Sequence, residues 1–347
     1  MTILVIGPGT VGCTVAVNIQ NKGREVIVLG KESHKKQLSR TPITFEYKEK
    51  SVKEKLKITT LNDLKENGDL EFEFIVLALK AHQTIEVLNE LENIIPIDIP
   101  LISMQNGLVI EDILRSTSYN NIFGGVIGFY LTRSENTIQQ TIDAGITLGK
   151  VITEENVDEK HQVPDYIKET IASVAPLTIS ENIRQEIWMN TLIHSIIDPI
   201  CAMGNMVIGN IIKQKPSIFL AMWIWREFLE LINKLGVKPS AIQEQFDSEI
   251  LYSYDLYSYF RAKEVMRRML EPIKNETPPM VVDIRNNKLT EIDYLNGGLL
   301  VAAQMFEVDM PINNLIIDTI KEIEIQDRKP GKGLLTKTYR QAIIEYM

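Results

Sequence analysis

The sequence predicts an α/β domain built on a doubly wound, mostly parallel sheet, followed by an all-α C-terminal domain. Three observations predict it. Strands alternate with helices through the first half, the pattern of parallel sheets with helical crossovers. A glycine-rich turn joins the first strand to the first helix. Near Pro176 the character changes, and the rest of the chain reads as long amphipathic helices. The expected domains are residues 1–178 and 179–347. A chain of 347 residues suits two domains, and its 44% hydrophobic and 24% charged content suits a buried core.

Taken in order, residues 3–6 and 25–29 are short β-branched runs separated by a helical segment, 10–22. Residues 74–79 form a continuous apolar run, as expected of a strand covered on both faces. Further strands are expected over 101–104, 124–131 and 146–149. The mixed basic and acidic stretch 48–57 reads as solvated surface. From Asn182 onward helices are expected over 183–203, 218–235, 241–269 and 286–306, punctuated by Pro216, Pro239, Pro278, Pro279 and Pro311.

The turn after the first strand reads Gly7-Pro8-Gly9-Thr10-Val11-Gly12. It follows a strand, opens a helix and precedes a second strand, the context that makes G-x-G-x-x-G a Rossmann dinucleotide-binding fingerprint. Gly7 permits the tight turn, Gly9 lets backbone approach a pyrophosphate, and Gly12 lets helix and strand pack closely. The amides opening the helix then face the phosphates. At the end of the second strand stands Lys31, suited to a ribose 2′-phosphate with support from Lys35 or Lys36. Glu32 competes, because a carboxylate there serves the 2′-hydroxyl of NAD. The expected cofactor is NADP(H), with NAD(H) as the alternative.

A formal net charge of -9 argues against nucleic acid as a partner. Cys13 and Cys201 lack metal-ligand spacing and read as buried thiols in a reducing compartment, and no metal site is expected. The chain enters a strand directly, without a secretory pattern, and no run reaches the roughly 18 apolar residues that span a bilayer. A cytoplasmic protein with no membrane partner is expected. His34, His82 and His161 are scattered and read as surface residues, His82 lying near the cofactor edge. Trp223, Trp225, Tyr252, Tyr254, Tyr257, Tyr259 and Phe260 read as core or dimer interface, and Met266, Met269 and Met280 as packing.

Four further segments make the chain resemble the ketopantoate reductase (2-dehydropantoate 2-reductase) family: Leu77-Ala-Leu-Lys80-Ala; Ser103-Met-Gln-Asn106-Gly107; Asn182 to Trp188 with Asp198-Pro199; and Thr290-Glu291 to Gly297 with Pro311-Ile-Asn313. The resemblance runs from residue 1 to about 325. It implies an α/β Rossmann domain followed by an all-α domain like the C-terminal domain of 6-phosphogluconate dehydrogenase, an active site in the cleft between them, and a homodimer. It implies that Lys31 holds the 2′-phosphate, that Lys80 and Asn106 lie beside the nicotinamide ribose and the substrate, and that Glu291 contacts the substrate's polar groups. The sequence also departs from the family pattern. Asn190 stands where the family carries a lysine that protonates the keto oxygen, His194 and Asp198 replace two asparagines, and Pro279 replaces a serine. A substrate other than ketopantoate follows as the expectation.

Asn190, His194 and Asp198 are four residues apart on an expected helix, so they line one face. Hydride delivery leaves negative charge on the acceptor atom, and imidazole is suited to protonate it near neutral pH. His194 is the expected general acid, oriented by Asp198 and assisted by Asn190; the alternative is an interior histidine held by a hydrogen bond. The spacing Asn190-x-x-x-His194 also resembles opine dehydrogenases. The expected function is an NADPH-dependent reductase of a small molecule with a carbonyl, imine or activated alkene. The alternatives are a genuine 2-dehydropantoate 2-reductase, an opine-type dehydrogenase and a catalytically inactive NADP-binding protein.

Overall fold

In a computed structural model, residues 2–66, 71–153, 162–236 and 256–346 are described. The chain divides into two compact units, one of residues 1–105 and 109–187, the other of 106–108 and 188–347.

The first unit opens with β1 (Thr2–Ile6), α1 (Thr10–Gln20), β2 (Val26–Leu29) and α2 (Glu32–Leu38). Next come β3 (Ile43–Tyr47), β4 (Lys50–Glu54), β5 (Lys57–Thr59), α3 (Leu61–Glu66) and β6 (Phe72–Leu77). Then follow α4 (Thr84–Leu91), β7 (Leu101–Ser103), α5 (Val109–Ser116) and β8 (Ile122–Ile127). The last elements are β9 (Leu131–Ser134), β10 (Thr137–Gln140), β11 (Ile146–Lys150), α6 (Asp165–Ala172) and β12 (Leu177–Ile179). An eight-stranded sheet runs in the order β12-β11-β8-β7-β6-β1-β2-β5. Every neighbouring pair is parallel except β8 with β11. Ile3, Leu4 and Val5 of β1 and Phe74 to Leu77 of β6 have no exposed surface, which accounts for their uninterrupted apolar runs. The chain leaves β1 toward β2 and β5 and returns to pair β6 on its other side. That reversal is the Rossmann switch point, where open sheets of this kind hold ligands beyond the strand C-termini.

A second sheet, β4-β3-β10-β9, packs on α1 and buries Ile43, Phe45, Val52 and Ile138 in one core with Cys13 and Val17 of α1. The stretch 48–57 is mostly exposed, as expected, but it is not featureless: β4 lies inside it at the edge of this sheet, and Val52 and Leu56 are buried. Lysines and glutamates flank these single apolar positions, so no long alternation signals the strand. The expected strand 124–131 is also divided. β8 ends at Ile127, and Leu131 begins a strand of the second sheet.

α7 (Ile183–Gly204) begins in the first unit. The bidentate contact of Arg184 with Glu111 of α5, at 2.7 Å from Nη2 to each oxygen, holds its first turn. From Trp188 onward it counts with the second unit, whose other helices are α8 (Lys215–Leu235), α9 (Leu256–Leu270), α10 (Pro279–Arg285), α11 (Asn296–Met305), α12 (Pro311–Glu324) and α13 (Lys332–Tyr346). α8 is the core helix: Trp223, Trp225, Phe228 and Leu231 are buried, and Gly236 ends it in the left-handed conformation. Trp223 stacks on Tyr339 and Phe219 on Tyr259, while Tyr257 and Phe260 are exposed. Tyr252, Tyr254 and residues 241–255 of the expected helix 241–269 lie outside the described residues. The expected helix 286–306 is shorter than read. α10 stops at Arg285, Asn287 takes φ 52°, and α11 begins only at Asn296. The paired asparagines are the reason, since Asn tolerates the left-handed helix end that β-branched or bulky residues resist.

Glu227 of α8 is buried and caps α12 from another helix. Its Oε1 accepts Ile312 N–H at 2.7 Å, and its Oε2 accepts Asn313 N–H at 3.0 Å and Asn313 Nδ2–H at 2.6 Å. A carboxylate at a helix N-terminus satisfies donors the helix cannot and meets the positive end of its dipole. Glu227→Ala is therefore expected to destabilise the protein by about 3 kcal/mol, because three donors lose a charged acceptor in the core. Denaturant unfolding measures this, and a loss below about 1 kcal/mol refutes the assignment.

Candidate active site

Within the first unit the glycine-rich turn is held by contact with its own backbone. A Cβ on Gly12 would lie 1.9 Å from Gly7 O. Gly7 adopts φ +105°, and a Cβ there would lie 2.7 Å from Leu79 Cα. Gly9 differs: it is exposed, and a Cβ would meet only Ala78 O at 3.8 Å. Among the described residues no close contact requires glycine at that position, which leaves open space at the start of the helix. Gly9 O accepts Cys13 N–H at 3.0 Å as α1 begins, and the amides of Thr10, Val11 and Gly12 have no acceptor within the helix. Buried Pro8, an open Gly9 and three outward amides fit a dinucleotide pyrophosphate.

Lys31 is exposed just beyond β2, with its N–H donating to His34 Nδ1 at 3.2 Å. Lys35 is already engaged, its Nζ lying 2.8 Å from both carboxylate oxygens of Asp63, so it does not support Lys31. That pairing, with the bonds from Thr60, holds Asp63 down to about 2. His34 is half-buried; burial, then Lys31 and Arg133, lower its pKa. Arg133 is a residue that sequence reasoning missed. Its Nη1 donates to Pro8 O at 3.1 Å, joining the second sheet to the turn, and only the three-dimensional pairing of β9 reveals it. Lys80 is half-buried three residues past β6, opening a short 3-10 turn. His82 is exposed in that turn, and His161 lies outside the described residues.

The second unit gathers Asn106, Asn190, His194, Asp198 and Glu291. Asn106 belongs to a tripeptide whose Gly107, at φ +83°, lies so close to Tyr294 that a Cβ would be 2.3 Å from its carbonyl oxygen. Leu108 N–H donates to the same carbonyl at 3.2 Å. This seats Asn106 where Asn190 Nδ2 donates to its Oδ1 at 3.2 Å. One turn along α7, His194 Nδ1 lies 3.2 Å from Asp198 Oδ1, with side-chain exposures of only 12% and 4%. A carboxylate only accepts, so Nδ1–H donates and Nε2 is left for chemistry. Burial works to lower the His194 pKa; the charge of Asp198, its hydrogen bond and the charge of Glu291 outweigh it and hold the ring above its ordinary value. Glu291 and Asp293 lie in the turn before α11 and not on a helix, which corrects the expected placement. Glu324 anchors that turn, its Oε1 accepting Thr290 N–H at 2.8 Å and Oγ1–H at 2.6 Å.

α7 continues through Pro199 to Gly204. Proline has no N–H for the Ser195 carbonyl, and Asn296 Nδ2 supplies the missing donor at 3.0 Å while also donating to Asn313 Oδ1 at 2.8 Å. The chain of contacts Glu227, Asn313, Asn296 and Ser195 thus steadies the helical turn that carries His194. Sequence reasoning placed Asn296 and Asn313 only within motifs; a proline four residues after a buried carbonyl is the signal that such a donor is needed. Among the described residues no group of His, Cys, Asp and Glu is placed to hold a metal ion, and no helix is long and apolar enough to cross a membrane.

Comparison with known proteins adds the following. The family model Ketopantoate reductase PanE/ApbA matches residues 3–152, and Ketopantoate reductase PanE/ApbA C terminal matches residues 182–324. The chain is 24% identical over 325 residues to a 2-dehydropantoate 2-reductase of Pyrococcus horikoshii, covering 93% of this chain and 98% of that protein. In fold it is similar to a D-mandelate dehydrogenase solved with NADH and anilino(oxo)acetate, with TM-score 0.75, 19% identity and coverage of 94% and 99%. It is equally similar to a PanE/ApbA family ketopantoate reductase from Ralstonia eutropha JMP134, with TM-score 0.75, 17% identity and the same coverage.

Proposed function

The chain belongs to the ketopantoate reductase family and is an NAD(P)H-dependent oxidoreductase; from that premise we propose that it uses NADPH to reduce a substrate other than ketopantoate, with His194 as the general acid. The observation that carries the proposal is the buried His194–Asp198 pair at 3.2 Å, whose ring is held above its ordinary pKa.

The nicotinamide, when bound, supplies the hydride. The α1 amides and Gly9 would hold its pyrophosphate, Lys31 the 2′-phosphate, and Lys80 the ribose edge. Reduction of a carbonyl, imine or activated alkene leaves negative charge on the acceptor, and Nε2–H of His194 neutralises it. Asp198 fixes the ring through Nδ1 and stabilises its protonated form. Asn106 and Asn190 present amide groups that align the substrate, and Glu291 accepts from its polar hydrogens. The reading includes a homodimer, testable by sedimentation, and a cytoplasmic location, testable by fractionation.

A pH profile tests the acid directly. A raised folded-state pKa keeps the ring protonated above about pH 6.5 and loses that form as pH rises through the folded value. The rate of reduction is thus expected to fall as pH rises through that raised value, later than an unperturbed imidazole would allow. Asp198→Asn removes the charge that opposes burial, so the fall is expected to move to lower pH. An unshifted alkaline limb in the variant excludes the pair as the proton source.

The substrate is tested by following NADPH oxidation against a panel of 2-oxo acids, ketopantoate among them, each with and without an amine. Selective turnover of another oxo compound supports the proposal. A requirement for an amine identifies the opine-type reaction, and binding without any turnover identifies an inactive nucleotide-binding protein. Best turnover of ketopantoate establishes the second reading, a genuine 2-dehydropantoate 2-reductase, which the similarity across 93% of the chain to the Pyrococcus horikoshii protein favours.

A further inference from the structure

A second cation stands beside the glycine-rich turn. Arg133 of β9 donates from Nε to Glu135 O at 3.0 Å, and from Nη1 to Pro8 O at 3.1 Å and Cys13 Sγ at 3.7 Å. These bonds fix the plane of the guanidinium and leave Nη2 unused. No carboxylate pairs with Arg133 or Lys31 among the described residues. His34 has its pKa lowered by burial first and then by the charges of Lys31 and Arg133. Its Nδ1 accepts Lys31 N–H, and a Cβ on Gly30 would lie 2.9 Å from Pro8 Cγ and 3.2 Å from His34 Cβ. Pro8, Gly30, Lys31, His34 and Arg133 therefore form one surface at the C-terminal ends of β1 and β2. Of the other charges there, Lys35 is bound to Asp63, and the charge of Glu32 acts on Lys35.

Two cations near one ring without a counter-ion repel each other, and a doubly charged anion relieves that repulsion. The guanidinium edge suits phosphate oxygens. We propose that Arg133 is a specificity-determining residue that binds, with Lys31, the 2′-phosphate of NADP(H); this rests on the NADP(H) reading above. The 2′-phosphate is favoured over the pyrophosphate by place. The pyrophosphate belongs at the α1 amides, whereas Lys31 and His34 lie at the end of β2, where Rossmann domains hold the adenosine ribose.

Isothermal titration of NADPH and of NADH into the wild type, Arg133→Gln and Arg133→Lys tests this. Arg133→Gln is expected to weaken NADPH about tenfold or more, the loss of one charge-assisted bond, while NADH changes by less than about twofold. Retained NADH affinity shows that the turn is intact. Arg133→Lys, keeping the charge, is expected to fall between. Unchanged NADPH affinity in Arg133→Gln overturns the proposal, as do equal losses for both nucleotides, which reduce Arg133 to a brace for Pro8. A wild type that binds NADH but not NADPH, or neither, overturns the NADP(H) reading itself, and does so before any variant is made.

Discussion

His194→Gln is expected to lower the kcat for NADPH oxidation by about a hundredfold to ten-thousandfold, the contribution of a placed general acid. Glutamine keeps a comparable size and a hydrogen-bonding head but cannot hand over a proton at neutral pH. The NADPH dissociation constant, read by titration without substrate, is expected to stay unchanged, because His194 is assigned to proton delivery and not to holding the nucleotide. A loss confined to kcat identifies proton delivery, whereas a loss confined to KM identifies substrate binding. Asn190→Ala, which removes the amide bonded to Asn106 at 3.2 Å, is expected to cost only about tenfold, the value of one neutral hydrogen bond. His194 and Asp198 act as a unit, so the double variant is expected to lose little more than His194→Gln alone. Full activity in His194→Gln removes the mechanism.

The His194–Asp198 pair, the proposed acid and its partner, is legible in the sequence because a helix has a fixed period. Once 183–203 is read as a helix, Asn190, His194 and Asp198 must share a face, and the pair at 3.2 Å follows from spacing alone. The nucleotide turn is legible for a similar reason: G-x-G-x-x-G is a backbone pattern written into residue types, and Gly7 and Gly12 do lie against neighbouring backbone. Contacts between segments distant in sequence left little trace. Arg133 reaches Pro8 only because β10 pairs with β3 and carries β9 beside α1, a pairing across about ninety residues that local pattern does not encode. Glu227 capping α12 is likewise a contact across 85 positions, and an acidic residue on a largely apolar helix gives no address for its partner. The expected helix 286–306 overruns the true start at Asn296 because apolar spacing continues across the turn, where the conformation of Asn287 overrides periodicity.

The largest structural effect is expected from Gly12→Ala, and Gly9→Ala makes it interpretable. At Gly12 the new methyl would lie 1.9 Å from Gly7 O, and Gly7 has no room to retreat because its own α-carbon faces Leu79 and Ala78 backbone at under 3 Å from any added Cβ. Backbone on both sides means that α1 must lift from β1. At an overpacking cost of about 3 kcal/mol and about 2–4 °C per kcal/mol, the melting temperature is expected to drop by about 6–12 °C. NADPH affinity is expected to fall at least about a hundredfold, since the amides proposed to hold the pyrophosphate move with the helix. Gly9→Ala separates the two consequences. Its methyl meets nothing nearer than 3.8 Å, so the melting temperature is expected to hold, while a bound pyrophosphate would collide with it and affinity is expected to fall as steeply. If Gly9→Ala binds NADPH like the wild type, the open space at Gly9 is not where the phosphates lie, and the nucleotide site assigned to this turn is wrong.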